Sequence, residues 1–414
     1  MNARPESWPR PADGGRAALA AALAVALFFA AWGALHYGFY ARGQISDATI
    51  YQRYGEAMGD GLVPYRDFAV EYPPGALPMF VLPALSAEED DPDAYRRAFE
   101  ALMALCGAVV AAFVAFVLVR DGAGLGRLAG GVALAALAPL ALGSVVLSRY
   151  DLWPAALTVG AVAALAAGRN RLGFGVLGLA VAAKVYPAVL LPLAVSYVWR
   201  NRGRREALAA LGVFGLVVAV VVVPFLVLAP DGVWASVERQ VTRPLQIESL
   251  GASFLLAAHQ ASDLGITMRS EAGSQNLVGT VPDVLAAVQT ALGIAALVWV
   301  WVWFARGPAE PGRLFRASAA AVCAVVALGK VLSPQFLIWL VPFVALVRGR
   351  RGLAAGVLLL LALVLTQLWF PYRYWELALR FDAVASWLVL ARDLVLLALL
   401  AVLAWPLRRP ARMS

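Results

Sequence analysis

The sequence predicts an all-α polytopic membrane protein, a single transmembrane domain over residues 1–414 with about eight full spans, two helical hairpins that stop at membrane depth, and N- and C-termini cytoplasmic. Three observations predict it. Of 414 residues, 62% are hydrophobic and 14% charged. Apolar runs of about twenty residues, the length that crosses a ~30 Å hydrocarbon core as a helix, recur from Ala17 to the C-terminus. The arginines gather in short clusters between those runs. Such runs are too long and too uniformly apolar for the alternating strands of a barrel.

The first run, 17–39, follows Arg4, Arg10 and Arg16. It is longer than the ~7–15-residue core of a signal peptide and reads as an uncleaved helix. Clusters at 4–16, 120–127, 169–171, 200–205, 306–316, 348–351 and 408–412 hold 20 arginines, and the positive-inside rule assigns them to the cytoplasm. Residues 41–97 carry ten carboxylates against five arginines and form the first outer loop. Full spans are expected near 17–39, 98–119, 128–147, 152–167, 207–228, 284–304, 353–370 and 383–406, with a second outer loop at 230–283.

Two stretches, 172–199 and 317–347, have a basic cluster at each end, so each reads as a hairpin that returns to the same face. Limbs of about 12–14 residues reach only ~18–21 Å, so the turns stop inside the bilayer's depth, where non-helical backbone is tolerated only beside protein or a wet cavity. The turns are "KVYP", 184–187, and "KVLSPQ", 330–335, and they hold the only two lysines of the chain. An ionisable residue at that depth usually lines a pathway or pairs with an anion; the alternative is a snorkelling lysine.

Composition excludes several functions. The pI near 9.8 comes from clusters between spans, not from one basic soluble face, so nucleic acid is not a partner. Cys106 and Cys323 lie in apolar stretches, and the two histidines, His36 and His259, are far apart in sequence, which leaves no disulfide framework and no histidine or thiolate metal site. A carboxylate-held divalent ion stays open. No base accompanies a serine nucleophile and no Gly-rich nucleotide loop is present.

The polar residues collect in two outer segments. In the first, Asp47 is followed by Tyr51, Tyr54 and Gly55 at helical spacing. "GDGLVPYRDF" then reads as a turn, and "VEYPPGALPMF" as rigid extended chain set by Pro73, Pro74 and Pro78. Such a loop, carrying Arg66, Asp67, Glu71 and Tyr72, suits a preorganised floor for a polar ligand. The run "AEEDDPD", 87–93, reads as solvated charge. The second segment contains "RQVTRPLQIESL", in which Arg239, Arg243, Gln246, Glu248 and Ser249 offer anion donors beside amide and hydroxyl groups. An outward carboxylate, arginines and membrane-depth lysines around a cavity suit a lipid-borne anion with its phosphate at headgroup level.

"SDATIYQRYGEAMGDGLVPYRDFAVEYPPGA", "TRPLQIESL", "AAKVYPAVLLP" and "KVLSPQFLIWLVP" resemble glycosyltransferase family 87 and its relatives in the GT-C superfamily. The resemblance implies a GT-C-like bundle and no cofactor. It implies transfer of a sugar, mannose in the typical members, from a polyprenyl phosphate to an envelope glycolipid or glycan on the extracytoplasmic side of the cell membrane, with inversion. The acidic residue of the first outer loop would be the general base, and Asp47 occupies that place. Where many relatives show a Gly-Gln-x-Asn step, this chain has "SVVLSRYDLWPA", with Arg149 and Asp151. The expected substrate contacts are completed by Lys184, Tyr186, Lys330, Ser333 and Gln335 in the hairpin turns. The alternative is a transporter or flippase of a lipid-linked sugar, since broken helices at membrane depth also mark transport sites.

Overall fold

The computed structural model describes residues 14–42, 45–86, 91–262 and 264–405. The clusters expected at 4–10 and 408–412, and residues 87–90 of the acidic run, lie outside the described residues.

Among the described residues, eight helices are long and apolar enough to cross a membrane: α1 (Gly14–Ala34), α4 (Pro92–Arg120), α5 (Leu125–Leu142), α9 (Arg204–Leu228), α12 (Thr280–Ala305), α13 (Pro311–Leu328), α15 (Gly349–Trp369) and α17 (Ala383–Ala404). The chain is thus an all-α multi-pass membrane protein. The spans differ in how deeply they are buried. The Ala-rich helices α4 and α13 are mostly buried, whereas α9, rich in Leu and Val, is buried only near its N-terminus and turns Leu216, Val220, Val223 and Val227 outward. Lipid tails are as apolar as leucine, so what draws helices together here is close packing of small residues. At Gly107 of α4 the ring of Phe28 from α1 fills the place where a Cβ would be.

Two expectations about spans are revised. The run expected as a full span at 152–167 is the shorter α6 (Leu152–Ala166) of 15 residues, while the first limb expected in the 317–347 hairpin is α13, which begins at Pro311 and at 18 residues is long enough to span. A proline at the first helical turn costs no hydrogen bond, so α13 starts there and not at the apolar run. The other hairpin has two short limbs, α7 (Asn170–Ala183) and α8 (Leu191–Arg202), joined through an extended Lys184 and a 3-10 turn, Tyr186–Leu190. In the second hairpin, α13 gives way to non-helical backbone, a 3-10 turn at Pro334–Trp339 and the short α14 (Val341–Ala345). Pro187 and Pro334 each open a 3-10 turn, since each lacks the N–H that a continuing helix would need.

The segments between spans hold more structure than the sequence suggests. Residues 48–59 form α2 (Ala48–Gly59), as the tyrosine spacing implies. The stretch after it departs from expectation: "PPGALPMF" is not extended but a 3-10 turn, Pro74–Ala76, running into α3 (Pro78–Ser86), with only the residues before Pro74 extended. Pro78 again sits at a first helical position, where its fixed φ favours the helix. Residues 230–283 form α10 (Pro230–Val241), α11 (Leu250–Ser262) and a small antiparallel sheet in the order β1-β3-β2, built from β1 (Leu245–Gln246), β2 (Thr267–Glu271) and β3 (Ser274–Val278). That sheet is the one set of strands among the described residues. The helix α16 (Tyr374–Arg380) lies between the last two spans.

Candidate active site

The loop "YRDFAVEYPPG" is fastened to itself. Tyr65 stands at φ 68°, a conformation costly for a bulky residue, and its hydroxyl donates to the Tyr72 carbonyl at 2.5 Å. Asp67 accepts from the backbone N–H of Val63 at 2.7 Å and from Arg66 at 2.8 and 2.9 Å. Those bonds from Arg66 and Val63 hold its carboxyl down at about 2. Helix α10 presses onto this loop where Gly232 meets the Tyr65 carbonyl, a contact that any Cβ would break. Gln240 donates to the Glu71 carbonyl at 3.2 Å, and Arg239 lies 3.8 Å from the Glu71 carboxylate. Arg66, Asp67 and Arg239, expected from the sequence to contact substrate, make these bonds within and onto the loop and do not line the pocket beneath it.

Beneath the loop lies a pocket of about 380 Å³ that brings together residues from distant parts of the chain. Asp47, Glu71, Tyr72, Arg149, Lys184, Tyr186, Arg243, Gln246, Glu248, Ser333 and Gln335 line it, as the sequence reading expects. Asp47 immediately precedes α2, yet its carboxylate caps no backbone N–H of that helix. It turns instead to the Arg149 guanidinium, with which it forms a direct ion pair, and to the Tyr51 hydroxyl at 3.5 Å. Ser46 takes over the turn by accepting from the N–H of Ala48 at 3.1 Å. Tyr51 lies behind the pocket, stacked on Phe80 at 4.5 Å, and orients Asp47 without lining the cavity.

The two lysines do not share a role. Lys184 is paired at 2.6 Å with Asp151, whose side chain is 1% exposed and also accepts from the Trp339 indole at 2.7 Å. The ammonium is caged by the rings of Tyr150 at 4.6 Å and Trp339 at 5.0 Å. Trp339 stacks on Tyr186 at 4.0 Å, so the two hairpin turns meet face to face. Asp151 is thus a buried counter-ion rather than a residue facing the cavity. Lys330 does not line the pocket either; its ammonium donates to the Val241 carbonyl at 2.8 Å, while its own carbonyl accepts from Gln246 N–H at 3.0 Å. Its place is structural, tying β1 to the second hairpin turn.

In the same pocket, the Gln246 amide donates to Glu248 at 2.6 Å and to Ser333 at 3.0 Å. Burial pushes the Glu248 carboxyl up to about 8, against the pull of Arg392 and Arg149. Arg243 faces the same cavity, and burial lowers its pKa although Glu71, Tyr72 and Glu248 oppose this. Among the contributors that escape the sequence reading are four residues. Gln275 of β3 reaches the pocket because the Ile247 N–H pairs with the Gln275 carbonyl at 3.0 Å. Tyr374 and Trp375 of α16 close one side. Arg392, fully buried in α17, donates at 2.7 Å to the Glu248 carbonyl and so holds the "IES" turn in place. A charged residue inside an apolar run was the available signal for Arg392; nothing local marks Gln275.

A family model described as glycosyltransferase family 87 matches residues 70–334. The chain belongs to glycosyltransferase family 87. Membership makes it a glycosyltransferase, which removes the transporter alternative. The family 87 match covers Glu71 to Ser333 of the pocket and begins after Asp47, which reaches the same cavity only through the fold. No curated protein matches the chain.

Proposed function

We propose that this family 87 enzyme transfers a sugar, mannose by the resemblance, from a polyprenyl phosphate to an envelope glycolipid or glycan on the extracytoplasmic side, inverting the anomeric centre. The observation that carries the reading is the Asp47–Arg149 pair, a carboxylate and a guanidinium facing each other in a pocket large enough for a sugar phosphate. The acceptor hydroxyl attacks C1 of the sugar and its proton passes to Asp47. The bond from C1 to the phosphate oxygen breaks, and its electron pair stays on the polyprenyl phosphate, which goes from one negative charge to two. Arg149 and Arg243, whose Nε atoms have no protein partner among the described residues, stabilise that added charge. Membranes containing the protein, supplied with labelled polyprenyl phosphates bearing mannose, arabinofuranose or glucose, should yield an extractable product from one of them. Absence of transfer from all three would end the polyprenyl-phosphate reading.

The side of the membrane is tested separately. Reporter fusions after Arg202 and after Arg350 should both read cytoplasmic, because each hairpin begins and ends at a basic cluster. An external signal at either position would place the pocket on the other face.

The Glu248 carboxyl, raised to about 8 by burial, gives transfer a pH dependence of definite sign. Below that value it is neutral; above it, a new negative charge stands in the donor pocket, repels the anionic donor and lowers its affinity. Glu248→Gln should flatten the decline between pH 7 and 9. An unchanged decline in that variant assigns it to another group.

A further inference from the structure

We propose that Glu248, Gln275 and Gln335 form a subsite that reads the hydroxyl groups of the donor sugar. The inference rests on the polyprenyl-phosphate reading and adds which residues recognise the sugar. Each of the three side chains lines the pocket and carries a buried oxygen that has no protein partner among the described residues: Glu248 Oε1, Gln275 Oε1 and Gln335 Oε1. Glu248 is 1% and Gln275 8% exposed, so these oxygens are not satisfied by being at the surface. A buried acceptor without a donor is costly, and native structures keep few of them unless a ligand completes them. The missing partner of the two amide oxygens must present O–H or N–H groups, and a neutral Glu248 carboxyl pairs with a hydroxyl as donor. A phosphate has no such donor to offer at neutral pH, whereas a sugar offers several on adjacent carbons.

The subsite is held rigidly. Glu248 Oε2 is occupied by the Gln246 amide, which fixes the direction of Oε1, and Arg392 holds the backbone of Glu248 from below. The Gln275 amide nitrogen is engaged by Ser270 at 3.2 Å, which leaves its oxygen for the cavity. Tyr374 and Trp375 stand beside these groups, and aromatic faces are where the C–H side of a sugar ring packs. The donors Arg149 and Arg243 line the same cavity. Acceptors and cations in one cavity fit a ligand with a neutral polyhydroxylated end and an anionic end.

The test compares two probes in the purified, detergent-solubilised full chain: polyprenyl phosphate bearing the sugar that the transfer assay selects, and bare polyprenyl phosphate. Gln275→Met and Gln335→Met keep side-chain length and remove the acceptor. Each should weaken binding of the sugar-bearing probe about tenfold, the order expected for one buried hydrogen bond, and leave binding of bare polyprenyl phosphate unchanged. Arg243→Gln should weaken both, and retained binding of the bare probe shows that the methionine variants are folded. Equal losses for the two probes, no loss for either, or a change confined to acceptor KM would overturn the subsite. If the parent protein binds neither probe, it is the polyprenyl-phosphate reading that fails.

Discussion

Asp47→Asn is expected to lower sugar transfer by about 10²–10⁴-fold, the range for loss of one positioned general base, while donor binding stays near the parent value. The structure gives the reason. Asp47 neither caps α2 nor supports the loop above it; its carboxylate points into the pocket at Arg149 and Tyr51. Asparagine is nearly isosteric and can still accept from the guanidinium, so basicity is lost together with the charge that faces Arg149. The measurement is a single-turnover transfer assay beside a donor-binding titration, which separates chemistry from affinity. Glu71 is the competing carboxylate in the same pocket, tied to Arg239 and to the β2–β3 turn at Gly273. If Asp47→Asn transfers at the parent rate while Glu71→Gln is inactive, the base is Glu71. Asp67→Asn, in contrast, should act on the loop: with its Arg66 and Val63 bonds weakened, binding declines more than turnover.

Replacement of Lys184 by methionine is expected to prevent stable folding rather than merely reduce donor affinity. Asp151 is almost wholly buried, and its carboxylate is met by the Lys184 ammonium and the Trp339 indole. Removing one partner of a buried pair leaves an uncompensated charge and costs about 3–5 kcal/mol, a large part of the stability of an ordinary domain. The double variant Lys184→Met with Asp151→Asn removes both charges, so it should regain much of what the single variant loses. Lys330→Met, by comparison, gives up one ammonium bond to the Val241 carbonyl and should express and melt close to the parent. Thermal unfolding in detergent measures all three. A Lys184→Met protein as stable as the parent would show that Asp151 is not a charge in need of its lysine, and the phosphate-binding role read from the sequence would return.

The sequence by itself determined the class of the protein and named many of the polar residues that line its candidate pocket. Runs of about twenty apolar residues can only be spanning helices, because every backbone group in lipid must be paired within its own segment. The broken helices were legible for a related reason: Pro187 and Pro334 cannot continue a helix, and lysines at that depth need a partner. Asp47, Glu71, Arg149, Arg243, Gln246 and Glu248 could be named because polar residues stand out in so apolar a chain, and the fold gathers them in one cavity.

What the charge of each residue is used for was decided by tertiary structure alone. Two lysines that look alike in sequence part company because Asp151 lies under one and the Val241 carbonyl near the other. Arg66, Arg239 and Asp67 resemble ligand-binding residues, yet they are consumed by neighbours that a linear pattern does not reveal. Gln275 enters the pocket only through the pairing of β3 with β1 and the bond to Ile247, and Arg392 reaches the Glu248 carbonyl across 144 residues of chain. Periodicity and hydropathy report on the surroundings of a segment averaged over a turn or a strand. Which donor meets which acceptor depends on contacts between segments far apart in sequence, and those exist only once the helices have packed.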